Sequence, residues 1–323
     1  MTKDVLKQIS NFKANETVAA VLIIREMSVR LTRDGKPYLD VVLGDMSGVI
    51  NGKVWDRGKE IAENLKVGMP VGVRALCEEY QGSAQLIISS LKPLNAQDLE
   101  QLNISWENLY PVTPKDRSIM WDSIRTAIDG LTDEWLKKLV KQIFADNEKK
   151  IKSHPASLKL HHAYIGGFLE HTYNMLVLAE SAAQLYHVDR DLLISGILLH
   201  DIGKLEELNG YPDNFYTDKG NLLGHTVQGF SLVRDTIRKI PGFPDILAGK
   251  IEHIILSHQG EYEYQAPKKP AFIEALLVHY IDETDARMNM MKQIVNDDLS
   301  EGIWTSNRNY FKIPLLKEIC DNE

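Results

Sequence analysis

The apolar run LLISGILLHDIGKLEEL, residues 192–208, ends in His200 and Asp201. Titratable side chains at the end of a buried helix cost free energy unless something pairs with them. A local hydrogen-bonded cap is one solution; half of a metal site is the other. The second needs more imidazole and carboxylate groups elsewhere in the chain. They exist: His171 in GGFLEHTYNML, His225 after NLLG, His258 in ILSHQG and Asp282 in VHYIDETDA. Each falls on a separate predicted helix or helix edge. Imidazole and carboxylate together suit Mn, Fe, Ni, Co or Zn, and the absence of cysteine from the set argues against structural zinc. Neighbouring helical residues point about 100° apart, so His200 and Asp201 can serve one ion or two between helices. Any one of these histidines, taken singly, reads more readily as a hydrogen-bonded core or surface residue; the ordered set is what points to a metal.

The elements that must position these groups follow from hydrophobic periodicity. Residues 16–93 read as five strands: ETVAAVLIIREMSVRLT, PYLDVVLGD, VINGKVWD, MPVGVRALCEEY and QLIISSLKPL, separated by the turn signals RDGK, DMSG and QGSA. A short amphipathic helix, RGKEIAENLK, lies between the third and fourth. That order is the one an OB-fold barrel requires. The polar stretch 96–115 reads as a linker with some local order. From 116 to 300 apolar residues recur at three- and four-residue spacing, with helices near 166–186, 190–203, 222–239, 244–259 and 270–297. The expected class is multidomain α and β: a five-stranded OB-fold β-barrel over 1–95, then an all-α helical bundle over 116–300. The tail 301–323 mixes aromatic and basic residues and has no assigned role.

Bulk properties exclude some classes. The chain has 323 residues and a formal net charge of −8, unlike a globally basic nucleic-acid coat. The charges of the barrel region roughly cancel, which leaves room for a local basic groove. No apolar run approaches the roughly 20 residues a membrane span needs, and MTKDVLKQIS lacks a signal-peptide core. Two cysteines, Cys77 and Cys320, stand far apart and suggest a reducing compartment, with the cytoplasm as the expected location.

The string LEHT, LLHDIGK, GH, LSHQG, HYIDETDA resembles the HD-domain metal-dependent phosphohydrolases. With an OB-fold in front, and with HHAYIGGFLEHT and ALLVHYIDETDARM, the chain resembles more narrowly the YhaM-type 3′–5′ exoribonucleases over roughly residues 15–300. The resemblance implies a first ion held by His171, His200, Asp201 and Asp282, and a second held by His225 and His258 with Asp201 bridging. It implies hydrolysis of single-stranded RNA, and of single-stranded DNA as a further candidate, to nucleoside 5′-monophosphates. The water would be activated by one or two divalent cations, Mn²⁺ foremost, with Fe, Co, Ni or Zn as alternatives.

Other residues are read beside this set. Lys204, one helical turn after Asp201, is a candidate for holding a phosphate oxygen; a solvated helix-end lysine is the alternative. His161 and His162 are candidates for phosphate binding or proton transfer, or else for capping. His253 reads as structural, and His279 as a residue that orients a ligand or merely packs. On the barrel, Arg30, Arg33, Lys36, Tyr38, Lys53 and Trp55 are candidate contacts to a strand, since single strands are held by positive charge and aromatic stacking. Two other functions stay open at this point: an HD phosphohydrolase acting on a mononucleotide or cyclic dinucleotide, and a non-catalytic OB-fold nucleic-acid-binding protein. A homo-oligomer is a further expectation, resting on the aromatic tail.

Overall fold

The computed structural model describes residues 7–317 apart from 81, 213, 299 and 301; Cys320 lies outside the described residues. The chain divides into two compact units, one of Met1–Val112 with Tyr211–Asp213, the other of Thr113–Gly210 with Asn214–Glu323.

The first unit is a closed barrel of β1 (Glu16–Leu31), β2 (Pro37–Asp45), β3 (Gly48–Val54), β4 (Pro70–Tyr80) and β5 (Ser83–Pro93), in the order β1-β2-β3-β5-β4. All pairs are antiparallel except β3 with β5. Alternation builds the interior: Val18, Ala20, Leu22 and Ile24 of β1 meet Leu39, Val41 and Leu43 of β2 and Val71, Val73 and Ala75 of β4. The residues between them point away from the barrel interior, as the two-residue period requires, although Val21 and Ile23 of β1 are buried as well. On β3, Ile50 and Val54 point in while Asn51 and Lys53 point out. At Gly52 a Cβ would stand 2.6 Å from Ile88 Cδ1 and 3.2 Å from Val41 Cγ2, so any larger residue would require the Ile88 side chain to shift. A one-turn helix α1 (Gly58–Ala62) joins β3 to β4. Cys77 is buried in the barrel wall.

The stretch between the barrel and the bundle carries local order. A helix α2 (Ala96–Gln101) starts on a capping box in which Asn95 and Asp98 satisfy each other's backbone N–H groups. Leu99, Leu109 and Tyr110 are buried, and Arg25 lies 4.6 Å over the Tyr110 ring. Few apolar residues in a polar stretch suffice to fix it when each is fully covered.

The second unit comprises α3 (Arg117–Asp129), α4 (Glu134–Ser153), α5 (Gly167–Tyr186), α6 (Arg190–Leu199), α7 (Lys204–Glu207), α8 (Asp218–Ile237), α9 (Asp245–Ser257) and α10 (Ile273–Asp297). Nine of the ten α6 residues are buried, so this helix is the axis of the bundle. Each fully buried Leu or Ile on it contributes about 1.5–3 kcal/mol. Its start is anchored by Asp191, whose Oδ2 accepts from the backbone N–H groups of Thr132 and Asp133 at 2.6 and 2.7 Å. After α10 the tail folds back: Thr305 N–H donates to Leu315 O at 2.8 Å, and Lys317 pairs with Asp298 at 2.8 Å. No helix among the described residues is long and apolar enough to cross a membrane.

Candidate metal centre and strand-binding face

Because α6 is buried from end to end, His200 and Asp201 emerge inside the bundle. The ends or flanks of α5, α8, α9 and α10 bring four more groups to the same place. Asp201 stands in the middle and turns one oxygen each way. Its Oδ2 lies 3.4 Å from His200 Nε2 and 3.9 Å from His171 Nε2. Asp282 Oδ1 closes that side, 3.3 Å from His171 Nε2 and 4.0 Å from His200 Nε2. On the other side, Asp201 Oδ1 lies 3.5 Å from both His225 Nε2 and His258 Nε2. The ligand-type atoms thus form two clusters, His171–His200–Asp282 and Asp201–His225–His258, each gathered within 4.8 Å.

Hydrogen bonds behind the clusters turn the rings. His200 Nδ1 donates to Ile197 O at 2.8 Å and His258 Nδ1 to Ile255 O at 2.7 Å. His225 Nδ1 donates to Glu207 Oε1 at 3.1 Å, and His171 Nδ1 to Asp285 Oδ2 at 2.7 Å. With Nδ1 so engaged, each ring presents Nε2 to the centre, as a metal-binding imidazole must. His171 Nε2, His200 Nε2 and Asp201 Oδ1 are buried without a hydrogen-bond partner, and Asp201 Oδ2 faces the Lys204 ammonium. Buried polar atoms left this way are costly. A cation between them would remove the cost, so the donor set fits divalent metal.

Electrostatics agree. Burial works to raise the Asp201 carboxyl, but the Lys204 ammonium and His200 outweigh it and hold the group well below the usual range. Asp282 is likewise lowered, against its burial, by His171 and His200. Burial alone would depress His171; Asp282 and Asp285 reverse that and raise it to about 9. A cation entering would displace the proton held there.

Local backbone features set these positions. Gly224 (φ 69°, ψ 166°) breaks α8, so that His225 begins a new helical segment rather than lying inside one. Gly203 lets α7 approach that segment: a Cβ on it would stand 2.0 Å from His225 O.

The remaining candidates separate by contact. Lys204 is not the solvated helix-end alternative; it is buried, with Nζ 2.5 Å from Asp201 Oδ2 as an ion pair. Burial disfavours its charge, but Asp201 and Asp282 keep it protonated. His161 has a buried, unpartnered Nε2, with its ring centroid 5.7 Å from that of His171. Burial pushes it down to about 3, so it is neutral. His162 is committed elsewhere: Nε2 contacts Asp285 Oδ2 at 2.8 Å and Nδ1 contacts Tyr164 Oη at 2.7 Å. It reaches the centre only through Asp285. His253 Nε2 accepts from Ala271 N–H at 3.0 Å, a structural bond. His279 Nδ1 donates to the His258 carbonyl at 2.8 Å, steadying the segment that carries His258.

On the barrel, Tyr38, Lys53 and Trp55 come together. The Tyr38 and Trp55 rings are 4.8 Å apart, and Lys53 Nζ lies 6.0 and 5.4 Å from their centroids. Tyr80, not anticipated, joins them at 5.5 Å from the same ammonium. Trp55 and Tyr80 are 43% and 57% exposed, so their faces are open to a ligand. Arg30 pairs with Asp40 at 3.1 Å. Arg33 and Lys36 lie exposed around the β1–β2 turn, outside the ring group.

Family models match both units: an OB-fold nucleic acid binding domain over residues 21–94 and an HD domain over 168–287. A curated relative, the 3′–5′ exoribonuclease YhaM of Bacillus subtilis, is 31% identical over 315 residues, covering 95% of this chain and 98% of its own. The chain belongs to the YhaM family. Among solved structures, a domain of replication protein A from Methanococcus maripaludis is 16% identical, covers 28% of this chain and 94% of that one, and has a TM-score of 0.25. The mitochondrial single-stranded DNA binding protein Rim1 from S. cerevisiae is 17% identical, covering 26% and 97%, with a TM-score of 0.24.

Within this YhaM-family chain, sequence reasoning missed the residues that act through hydrogen bonds. Asp285 lies three positions after Asp282, on the same helical face, and that spacing was a usable signal. Asp285 Oδ1 also accepts from Asn174 Nδ2 at 2.8 Å. Glu207 accepts from both N–H groups of His225, and nothing in KLEEL announces it. His154, buried, contacts Lys204 O through Nε2 at 3.1 Å.

Proposed function

We propose that this YhaM-family chain is a divalent-metal-dependent exoribonuclease that degrades single-stranded RNA from the 3′ end to nucleoside 5′-monophosphates. The observation that carries the chemistry is the set of imidazole Nε2 atoms converging on the two oxygens of the buried Asp201 carboxylate. His171, His200, Asp201 and Asp282 would hold one ion; Asp201, His225 and His258 would hold a second. Ions bound there supply Lewis acidity: they neutralise charge gathering on a phosphodiester and make water acidic near neutral pH. Mn²⁺ suits a mixed imidazole and carboxylate set. Lys204, protonated and buried, would place a fixed positive charge beside a phosphate oxygen. His161, neutral, would donate one hydrogen bond to the phosphate or the departing 3′ oxygen. Asp285 and His162 would keep His171 in the right tautomer.

The polymer preference rests on the barrel. Lys53 amid Tyr38, Trp55 and Tyr80 offers stacking surface and one cation to a single strand, with Arg30, Arg33 and Lys36 at the rim. Polarity and the choice of RNA over DNA rest on the B. subtilis relative. The free, buried Cys77 suits a reducing compartment such as the cytoplasm. The test is digestion of a 5′-labelled, unstructured RNA with Mn²⁺. A descending ladder and free mononucleotides are expected, abolished by chelator; intact RNA from a protein carrying its full complement of ions would end the proposal.

A further inference from the structure

The two clusters are unequal in protein donors. The first draws on His171, His200, Asp201 and Asp282, the second on Asp201, His225 and His258 alone. Beside the second stands a polar group with no part in the reading so far. The amide nitrogen of Gln259 lies 3.2 Å from His225 Nε2 and 3.0 Å from His258 Nε2. Gln259 directly follows His258 and is half-buried.

Two facts bear on what this amide does. The Nδ1 hydrogens of both rings are directed away, to Glu207 Oε1 and to Ile255 O. Neutral rings so arranged turn lone pairs toward Gln259, and an amide NH₂ satisfies them as donor. The second fact is spacing. Ligand bonds of about 2.0–2.2 Å around one cation set neighbouring donor atoms roughly 3.0–3.5 Å apart. The Gln259 end group and Asp201 Oδ1, the latter 3.5 Å from both Nε2 atoms, stand at such separations from the same two rings. A primary amide is also a side chain that serves both situations without moving its stem. Half a turn about its last bond exchanges the NH₂ for the carbonyl oxygen, a donor for an acceptor.

We propose that Gln259 is the fourth protein donor of the second cluster. Its NH₂ occupies the two imidazole lone pairs when no ion is present, and its Oε1 turns in to bind the ion when one arrives. This rests on the two-ion reading above. An added neutral oxygen would shift that cluster's preference toward oxygen-favouring ions such as Mn²⁺.

The test is metal binding by the full chain, stripped with chelator and then titrated. Mn²⁺ is followed by calorimetry and Co²⁺ by visible absorption, with thermal melting of each variant as the folding control. Wild type should take two ions. Q259L, which keeps the volume and removes the oxygen, should keep the first at its wild-type affinity and bind the second at least tenfold more weakly, with an altered Co²⁺ spectrum for the second step. Q259E, which restores an oxygen, should recover the second ion. Q259L binding both ions as wild type does would overturn the inference, as would a normally melting Q259E that loses the second ion. A wild type that takes no second ion would instead remove the two-ion reading itself, and that result is read before either variant is compared.

Discussion

The helical unit and the barrel hold their functional side chains in opposite ways. His171, His200, Asp201 and His258 are at most 2% exposed, and each histidine is tied from behind by a hydrogen bond. Trp55 and Tyr80 are about half exposed, and what links them is a lysine between rings. Chemistry at phosphorus needs ligands fixed before the substrate arrives, in a place where fields are strong. Holding a strand of varied sequence needs an open surface that tolerates any base, which ring faces supply. On the proposed function the buried groups would serve the first task and the exposed aromatics the second.

The difference predicts graded damage. Asp201→Ala removes the shared carboxylate of both clusters. It should lower kcat on RNA by more than about 10²-fold, the loss typical of one electrostatic group, and metal analysis should find both ions gone. RNA binding, measured without Mn²⁺, should stay near wild type; if it falls as far as kcat, the two regions are not separate in task. Asp285→Asn touches only the back of His171 and should cost about 10–100-fold in metal affinity or activity. Trp55→Ala should weaken RNA binding by about 1–3 kcal/mol per stacked base, appearing in KM for long RNA and leaving kcat on a dinucleotide unchanged. A dinucleotide rate that drops with Trp55→Ala would place the barrel within the chemistry.

The contrast extends to pH. All ten histidines fall in the helical unit and none in residues 1–112. His154 is pushed down to about 4 by burial, whereas an unfolded histidine titrates near 6.5. The unfolded chain therefore binds the extra proton between these values. The stabilisation is complete above about pH 6.5 and is lost as pH falls toward 4, about 3 kcal/mol in all. Helix signal should melt earlier on acidification than barrel signal, and His154→Gln should flatten that dependence.

What the sequence made legible follows from what each residue does. The six groups His171, His200, Asp201, His225, His258 and Asp282 stood out because their types announce chemistry and their helices could be drawn from periodicity. The barrel was legible because alternation and turn residues are local. Glu207 and Gln259 were not, since a hydrogen bond to a ring has no local pattern, and Asp285 was legible only through its three-residue spacing from Asp282. Tyr80 stood at the end of a strand, and only closure of the barrel carries it to Lys53. Region 96–112 was partly legible: the Asn95–Asp98 spacing is a helix-start signal, set in a stretch too polar to show an apolar period.

Asp201 has one further consequence. Because each of its oxygens faces a different cluster, the two ions of the proposed function would not be independent guests. Whichever enters first would draw on a charge the other also needs, so the second would meet a partly neutralised carboxylate and a like-charged neighbour. Loading would be sequential, with two unequal dissociation constants whose values any change at position 201 would move together.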